Sequence, residues 1–334
     1  MKHLLLILIT LLFAVPAFAT TQSGTYTWTF DLSNQDSSQE TSLWIPYPVS
    51  NSEQLINAIH WEGNYAEAAV YTERTFNSPL LYVAWKKGTQ DRKLTLTFHA
   101  ERSEQVKRDF PKTAAAYDPR DFALYLAPTS LGPINGQVKE LSDQITAGKT
   151  GILEKARAIY DWTVDNTFRD PDTRGCGLGD VTALLRRPGG KCADISSIYI
   201  ALARAAGVPT REVLGIRTGK NKDQDVSTWQ HCWAEFYLPG YGWVPVDPAD
   251  VRKAMLVQKL DLSDPKVAEL RDYYWGRVDP YRIRLSEGRD LQLNPPQSGE
   301  PVNYLMYPFA QVGGETLDWL DPQTFKYQIT WKQD

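Results

Sequence analysis

The sequence predicts an α+β fold in which β-rich ends enclose a helical centre. Apolar and polar side chains alternate over residues 26–32, 94–100 and 325–331, which is the pattern of half-buried strands. Apolar residues recur instead at helical spacing over residues 152–164 and 195–206. We therefore expect an N-terminal β-sandwich, a central domain that contains these helices, and C-terminal β-strands.

The first 19 residues have the organisation of a secretory signal peptide. A basic start precedes an apolar run over residues 4–15, and an A-x-A motif ends at Ala19. This run is too short to span a bilayer, and no later run is apolar enough for a membrane helix. We expect cleavage after Ala19 and a periplasmic or secreted protein that does not insert into the membrane.

Length limits the number of domains, and charge limits the possible partners. The 334 residues allow two domains or one core domain with a β-rich addition. The formal net charge is −4. The chain contains no run of basic residues, so neither nucleic acid nor an anionic membrane is implied as a partner. The oligomeric state stays open.

We expect three regions after the signal peptide at residues 1–19. Residues 20–105 predict the β-sandwich, residues 106–270 the core, and residues 271–334 a β-rich segment. Strands are expected in this last segment at residues 282–285, 302–307 and 325–331. These strands could pack with the N-terminal sandwich or extend the core sheet.

Cys192 lies where a buried helix is expected to begin. Pro188, Gly189 and Gly190 indicate a turn, and the helical pattern follows directly. A helix N-terminus carries a partial positive charge and free N–H groups, which favour a thiolate and can hold an oxyanion. Cys192 is therefore a candidate nucleophile, although a small buried cysteine at a helix start is the alternative.

A hairpin about 40 residues later supplies a candidate base. Residues 229–237 and 243–248 predict two strands joined at a Pro-Gly turn. A loop of odd length would place His231 and Asp247 on one face, whereas an even loop would separate them. On one face, Asp247 could orient His231, and His231 could take the proton of Cys192.

These three blocks together resemble the transglutaminase-like superfamily. They are residues 190–194 with the tail 201–211, residues 231–235 and residues 242–248, within about a third of the chain. The resemblance implies a papain-like core of helices packed on an antiparallel sheet, with Cys192, His231 and Asp247 as the catalytic triad. It matches no position for a side-chain oxyanion donor. Trp162 is considered for that role, and packing as a core aromatic residue is the favoured interpretation.

The other two cysteines leave alternatives open. Cys176 and Cys232 could form a disulfide in an exported chain. Alternatively, Cys176 could form a disulfide with Cys192, which would block catalysis until it is reduced. Because Cys232 follows His231 on a strand, it points to the opposite face and is favoured as a buried small residue. A zinc site of the three cysteines with His231 lacks the usual close ligand pairs. We expect neither a metal nor a cofactor.

The polar loop at residues 218–228 is expected to be solvated, or to form a mobile flap beside His231. As a function, we expect an exported thiol enzyme that acts on amide bonds through an acyl-enzyme, most simply by hydrolysing a peptide or protein substrate. The substrate could be a cell-envelope component. The alternatives are amine transfer to protein glutamine, and a non-catalytic envelope protein that binds a peptide or glycan.

Overall fold

A computed structural model describes residues 20–113 and 115–334, so the expected signal peptide at residues 1–19 lies outside the described residues. The strands are, in chain order, β1 (Thr21–Asp31), β2 (Thr41–Pro46), β3 (Gln54–Gly63), β4 (Glu67–Thr72), β5 (Pro79–Trp85), β6 (Lys93–Ser103), β7 (Gln105–Val106), β8 (Phe168–Arg169), β9 (Gly189–Gly190), β10 (Thr210–Arg217), β11 (Asp223–Asp225), β12 (Gln230–Leu238), β13 (Gly242–Val246), β14 (Arg277–Val278), β15 (Arg282–Glu287), β16 (Phe309–Val312), β17 (Glu315–Thr316) and β18 (Lys326–Gln333).

The helices are α1 (Ala123–Leu126), α2 (Gln137–Ile145), α3 (Ile152–Asn166), α4 (Val181–Leu184), α5 (Cys192–Ala205), α6 (Pro248–Gln258) and α7 (Pro265–Tyr273), with a short 3-10 helix at Pro119–Phe122. None of the helices in the described residues has the length and apolar character needed to cross a membrane. The expected α+β class is confirmed, because helices pack on antiparallel sheets.

Both ends of the chain build one β-sandwich. One sheet has the strand order β11-β18-β1-β6-β3, and the other has the order β17-β16-β2-β5-β4. In the first sheet Tyr26 lies opposite Trp331, and their rings pack 4.8 Å apart in the interior. The alternation that predicted β1 and β18 therefore reflects burial of one face of each strand between the two sheets.

A third sheet, of order β13-β12-β10-β15, lies outside the sandwich and supports the helices. Helix α5 packs on β12, and α2, α3 and α6 surround α5 around a common apolar cluster. The C-terminal segment thus divides between the two bodies, since β15 pairs with β10 of this sheet while β18 joins the sandwich. Of the two expected arrangements, β15 extends the core sheet and β18 packs with the N-terminal sandwich.

The prediction of a strand at residues 302–307 is wrong. Within this segment only Val302 forms a β-bridge, an isolated one with Leu291. Tyr304 and Tyr307 instead pack into a cluster with the three cysteines. The two prolines that flank this segment, Pro301 and Pro308, each lack a donor for a continuous ladder.

The loop at residues 218–228 is attached to the sandwich. Its strand β11 pairs with β18, so that Gln224 lies opposite Trp331. Val226 also donates its backbone N–H to the carbonyl of Ile329. This loop therefore links the sandwich to the end of the core sheet that carries His231.

Candidate active site

The start of α5 needs glycine at the two preceding positions. A Cβ on Gly189 would lie 2.0 Å from the ring of Phe168, and a Cβ on Gly190 would lie 2.3 Å from the carboxylate of Asp194. Only glycine lets β9 approach β8 and α5 this closely. The turn expected before Cys192 is thus a short strand followed at once by the helix.

Asp194 holds the helix start in place. One carboxylate oxygen accepts from the N–H of Lys191 at 3.1 Å, and the other accepts from the N–H of Gly179 at 2.8 Å. The N–H of Ala193 donates to the carbonyl of Cys176 at 3.0 Å. The intervening N–H of Cys192 belongs to the first helical turn, where no intrahelical acceptor exists, and it can donate to an oxyanion.

Three thiols converge at this helix start. Cys176, Cys192 and Cys232 are buried and free, so neither of the possible disulfides is formed in this structure. Cys232 faces α5 from β12, as expected, whereas His231 shares the other face with Trp233. Tyr307 donates its hydroxyl to the Cys176 sulfur at 3.2 Å.

Among these thiols, Cys192 is the one that ionises readily. Hydrogen bonds from Cys176 and Cys232 lower the pKa of Cys192 well below its ordinary value, and His231 adds a hydrogen bond and its charge, against the opposing effect of burial. The pKa of Cys176 is raised through its bond to Cys192, and that of Cys232 through burial. The surroundings therefore favour a negative charge on Cys192 over one on either neighbouring thiol.

The hairpin brings His231 and Asp247 to one face. Leu238 pairs with Gly242, so the loop has three residues, and Ala234 pairs with Val246. This odd loop places Asp247 opposite Trp233, two residues along β12 from His231 and on the same face, as an odd loop requires. The Nε2 atom of His231 lies 2.8 Å from Oδ2 of Asp247, and both side chains are buried. The other ring nitrogen, Nδ1, is left for Cys192.

Sequence reasoning missed the ion pairs that surround this carboxylate. Arg282 on β15 donates to Asp247 at 2.5 Å and to Asp250 at 2.8 Å, and it also donates to Asp279. Arg217 donates to Asp250 at 2.5 Å. The sequence near Asp247 could have indicated Asp250, because Asp247 caps α6 by accepting from the N–H of Asp250. No nearby residue could have indicated Arg282, since it lies on a strand of the C-terminal segment.

Two cations thus balance the buried acids near His231. Burial acts to raise the pKa of Asp250, but Arg217, His231 and Arg282 together hold it well below its ordinary value. Burial likewise opposes the charge of Arg282, yet Asp279, Asp250 and Asp247 raise the pKa of its guanidinium. Because Arg282 already contacts both carboxylates, this group is satisfied as a network of ion pairs.

Metal-ligand geometry in the described residues occurs at one group, in which donor atoms of His231, Asp247 and Asp250 lie within 4.8 Å of one another. The guanidinium of Arg282 fills the space between the two carboxylates of that group. The three thiols and His231 do not meet the same distance condition among the described residues. Their arrangement therefore does not fit the zinc alternative.

Cys192 and His231 line a cleft of about 400 Å³. A second groove of about 410 Å³ meets it at Gly175, Lys191 and Thr228, and aromatic residues form much of its wall, namely Tyr307, Trp319, Phe325 and Tyr327. Trp162 lines neither space and packs instead on the helical core. The site is therefore an extended cleft, polar around the sulfur and aromatic beyond it.

Comparison with known proteins identifies the fold of this site. Residues 139–248 match the model of the transglutaminase-like superfamily, and this range includes Cys192, His231 and Asp247. The solved structure of a candidate cysteine protease from Cytophaga hutchinsonii shares the fold, with a TM-score of 0.56 and 14% identity over 94% of this chain and 99% of that chain.

Two bacterial proteins are similar in sequence. An uncharacterized protein of Haemophilus influenzae is 37% identical, over 92% of this chain and 90% of its own length. The Bacillus subtilis protein YebA is 27% identical over 34% of this chain and 17% of its own length. Together with the fold and the cysteine helix packed on an antiparallel sheet, these matches establish that the chain belongs to the transglutaminase-like superfamily.

Proposed function

We propose that the protein is an exported cysteine hydrolase that cleaves amide bonds in peptide-like substrates. The supporting observation is the convergence of a low-pKa thiol, Cys192, with a histidine that is held by a buried carboxylate. In such an arrangement the thiol attacks, the imidazole moves the proton and the carboxylate orients the imidazole.

The chemistry runs in two steps. The Cys192 thiolate attacks the amide carbonyl, the oxyanion accepts from the N–H of Cys192, and His231 gives its proton to the leaving amine as the C–N bond breaks. This step leaves a thioester on Cys192. Water then attacks the thioester, His231 takes the proton of that water, and the acid product leaves as the thiolate is restored.

Hydrolysis is favoured over amine transfer by the character of the cleft. Transfer to an amine needs an acceptor space that keeps water out. The cleft beside Cys192 is lined by charged and polar side chains, including Lys191, Lys253 and Gln230, and such side chains favour a hydrated cleft. The aromatic groove suits the rest of an extended substrate.

A library of internally quenched peptides tests this proposal. The wild-type protein should cleave a subset, and Cys192→Ala should abolish cleavage while the thermal unfolding midpoint stays close to that of the wild type. Cys232→Ala is the matched control, because it removes a buried thiol that is not the nucleophile, and it should keep measurable turnover. Unchanged cleavage by Cys192→Ala would overturn the proposal.

A fluorescent primary amine in the same reactions separates the two acyl acceptors. Mass spectrometry of the acyl product should show the free acid, as hydrolysis requires. Amine adducts in place of the acid would favour cross-linking. An unreactive Cys192 with an ordinary thiol pKa, in a protein that binds peptide without cleaving it, would favour the binding alternative.

Export rests on the signal peptide expected at residues 1–19. Expression of the full chain followed by cell fractionation should place the protein outside the cytoplasm. Its N-terminal sequence should then begin at Thr20. Recovery of the intact chain in the cytoplasm would contradict export.

A further inference from the structure

Basic side chains dominate the wall of the cleft that contains Cys192, although the whole chain has a net charge of −4. Among the described residues that line this cleft none is acidic, and five are basic, namely Arg169, Lys191, Arg217, Lys220 and Lys253. A concave surface with one sign of charge concentrates ligands of the opposite sign.

Among these five, only Arg217 forms an ion pair with an acidic side chain of the described residues. It donates to Asp250 at 2.5 Å, in the ion-pair network around Asp247. The remaining four form no ion pair with any acidic side chain in the part of the chain that the structure describes. These four, Arg169, Lys191, Lys220 and Lys253, are called the cleft cations below.

Lys253 shows that this positive charge is not balanced. It lies half-buried on α6, and its pKa is lowered by burial first and then by repulsion from Arg217 and Arg169, with partial relief from Asp250 and Cys192. A buried ammonium with cationic neighbours gains stability when an anion binds beside it.

The Cys192 thiolate does not account for all the cleft cations. It is one negative charge against four positive charges. The groups that lower the pKa of Cys192 most are the two neighbouring thiols and His231 rather than these cations. Three positive charges are therefore available to a ligand even when Cys192 is ionised.

The cleft cations lie on separate elements that line the same cleft as Cys192. Lys191 directly precedes Cys192, and Arg169 pairs with Gly190 across β8 and β9, so both lie at the helix start. Lys253 lies on α6, which begins directly after Asp247. A substrate that reaches the sulfur through a cleft of about 400 Å³ therefore passes beside these charges.

We propose that this cleft selects peptide-like substrates that carry a carboxylate next to the amide bond attacked by Cys192. The proposal rests on the proposed function for the nature of the scissile bond. A lysine or arginine pairs with a carboxylate through charge-assisted hydrogen bonds. Such a carboxylate comes either from an acidic side chain or from a free C-terminus, and the experiment distinguishes the two.

The first arm measures the charge preference without any turnover. Iodoacetate and iodoacetamide alkylate the same thiolate but differ in charge, and mass spectrometry of the Cys192 peptide reports each rate. The ratio of the iodoacetate rate to the iodoacetamide rate should exceed that of free cysteine by about fivefold, as expected for an anion near unpaired cations. High salt should reduce this ratio.

Variants assign the effect to the cleft. Lys253→Gln and Lys191→Gln should each lower the ratio by about threefold while leaving the iodoacetamide rate within a factor of about two. Lys87→Gln is the control, because Lys87 is exposed on the sandwich and lines none of these spaces. Its ratio should equal that of the wild type.

The second arm uses quenched peptide pools matched in sequence except for glutamate or glutamine at the positions flanking the cleaved bond, with free or amidated C-termini. Faster cleavage of the glutamate pool identifies a side-chain carboxylate, and faster cleavage of the free-acid pool identifies a terminal one. Loss of either preference in Lys253→Gln supports the proposal.

The two proposals fail in different ways. A wild-type alkylation ratio no higher than that of free cysteine, with equal cleavage of all pools, overturns the carboxylate preference and leaves the hydrolase intact. A high ratio that falls in the cleft variants, with no pool cleaved, supports an anion-selective cleft and contradicts the hydrolase.

Discussion

Asp247 accepts hydrogen bonds from His231 and Arg282 through the same carboxylate oxygen. Oδ2 lies 2.8 Å from Nε2 of His231 and 2.5 Å from a guanidinium nitrogen of Arg282. The other oxygen accepts from the N–H of Asp250 at 2.9 Å. The carboxylate cannot rotate without breaking these bonds, so the position of His231 depends on a residue from β15 as well as on the hairpin.

Asp247→Asn should disable the proposed reaction without unfolding the protein. Asparagine still caps α6, but its amide carries no negative charge to hold the imidazole. We therefore expect kcat/KM to fall by about 10³–10⁴-fold. Steady-state cleavage of the best library peptide measures this loss. Asp279→Asn is the control, because Asp279 contacts Arg282 but not His231. Equal losses in both variants would contradict the orienting role.

Arg282→Gln should destabilise the fold. The change leaves three buried carboxylates with Arg217 as their main remaining cation, and breaking a buried pair from one side costs about 3–5 kcal/mol. Urea unfolding measures the free energy of unfolding. The exposed Arg120, which pairs with Asp118, provides the control, and Arg120→Gln should leave the free energy of unfolding close to that of the wild type. Similar values for the two variants would show that the network is not stabilising.

The rate of iodoacetamide alkylation should depend on pH through the lowered pKa of Cys192. Because the thiolate reacts, the rate rises with pH and levels off below the range of an ordinary thiol, about 8.5. Cys176→Ala removes the donor that contributes most, so its midpoint should move to higher pH. The rate in the alkaline plateau should not fall. An unchanged or lower midpoint would exclude Cys176 as a stabiliser of the thiolate.

Gly190→Ala should displace the start of α5. The added Cβ would lie 2.3 Å from the Asp194 carboxylate, which bonds the N–H of Lys191. We expect a lower thermal midpoint and slower alkylation of Cys192. The matched control is Gly151→Ala at the start of α3, where the nearest contact of the added Cβ is 3.5 Å and the φ angle is −84°. Equal tolerance of both changes would show that the helix start can relax.

Neighbouring residues explain most of what could be predicted for the site. The position of Cys192 at the start of α5 follows from the glycines before it and the apolar repeat after it. The common face of His231 and Asp247 follows from the parity of a three-residue loop. Both features depend on residues that lie close to these side chains in the sequence.

The wrong prediction of a strand at residues 302–307 shows that a local apolar pattern does not always determine secondary structure. Its apolar and aromatic residues fit a strand, but Tyr304 and Tyr307 pack against the cysteine cluster in place of a ladder. The same segment donates the Tyr307 hydroxyl to Cys176. Packing against a distant helix start thus overrides strand propensity.

By itself, the sequence determined the α+β class and the helix that begins at Cys192, because spacing along one chain sets both. It limited His231 and Asp247 to one face or to opposite faces, and the three-residue loop of the structure decided between the two. Only the tertiary structure decided that Arg282 reaches Asp247, that Cys176 and Cys232 surround Cys192, and that unpaired cations line one cleft. These groups come from separate elements, and charge and burial act through space without leaving a periodic pattern along the chain.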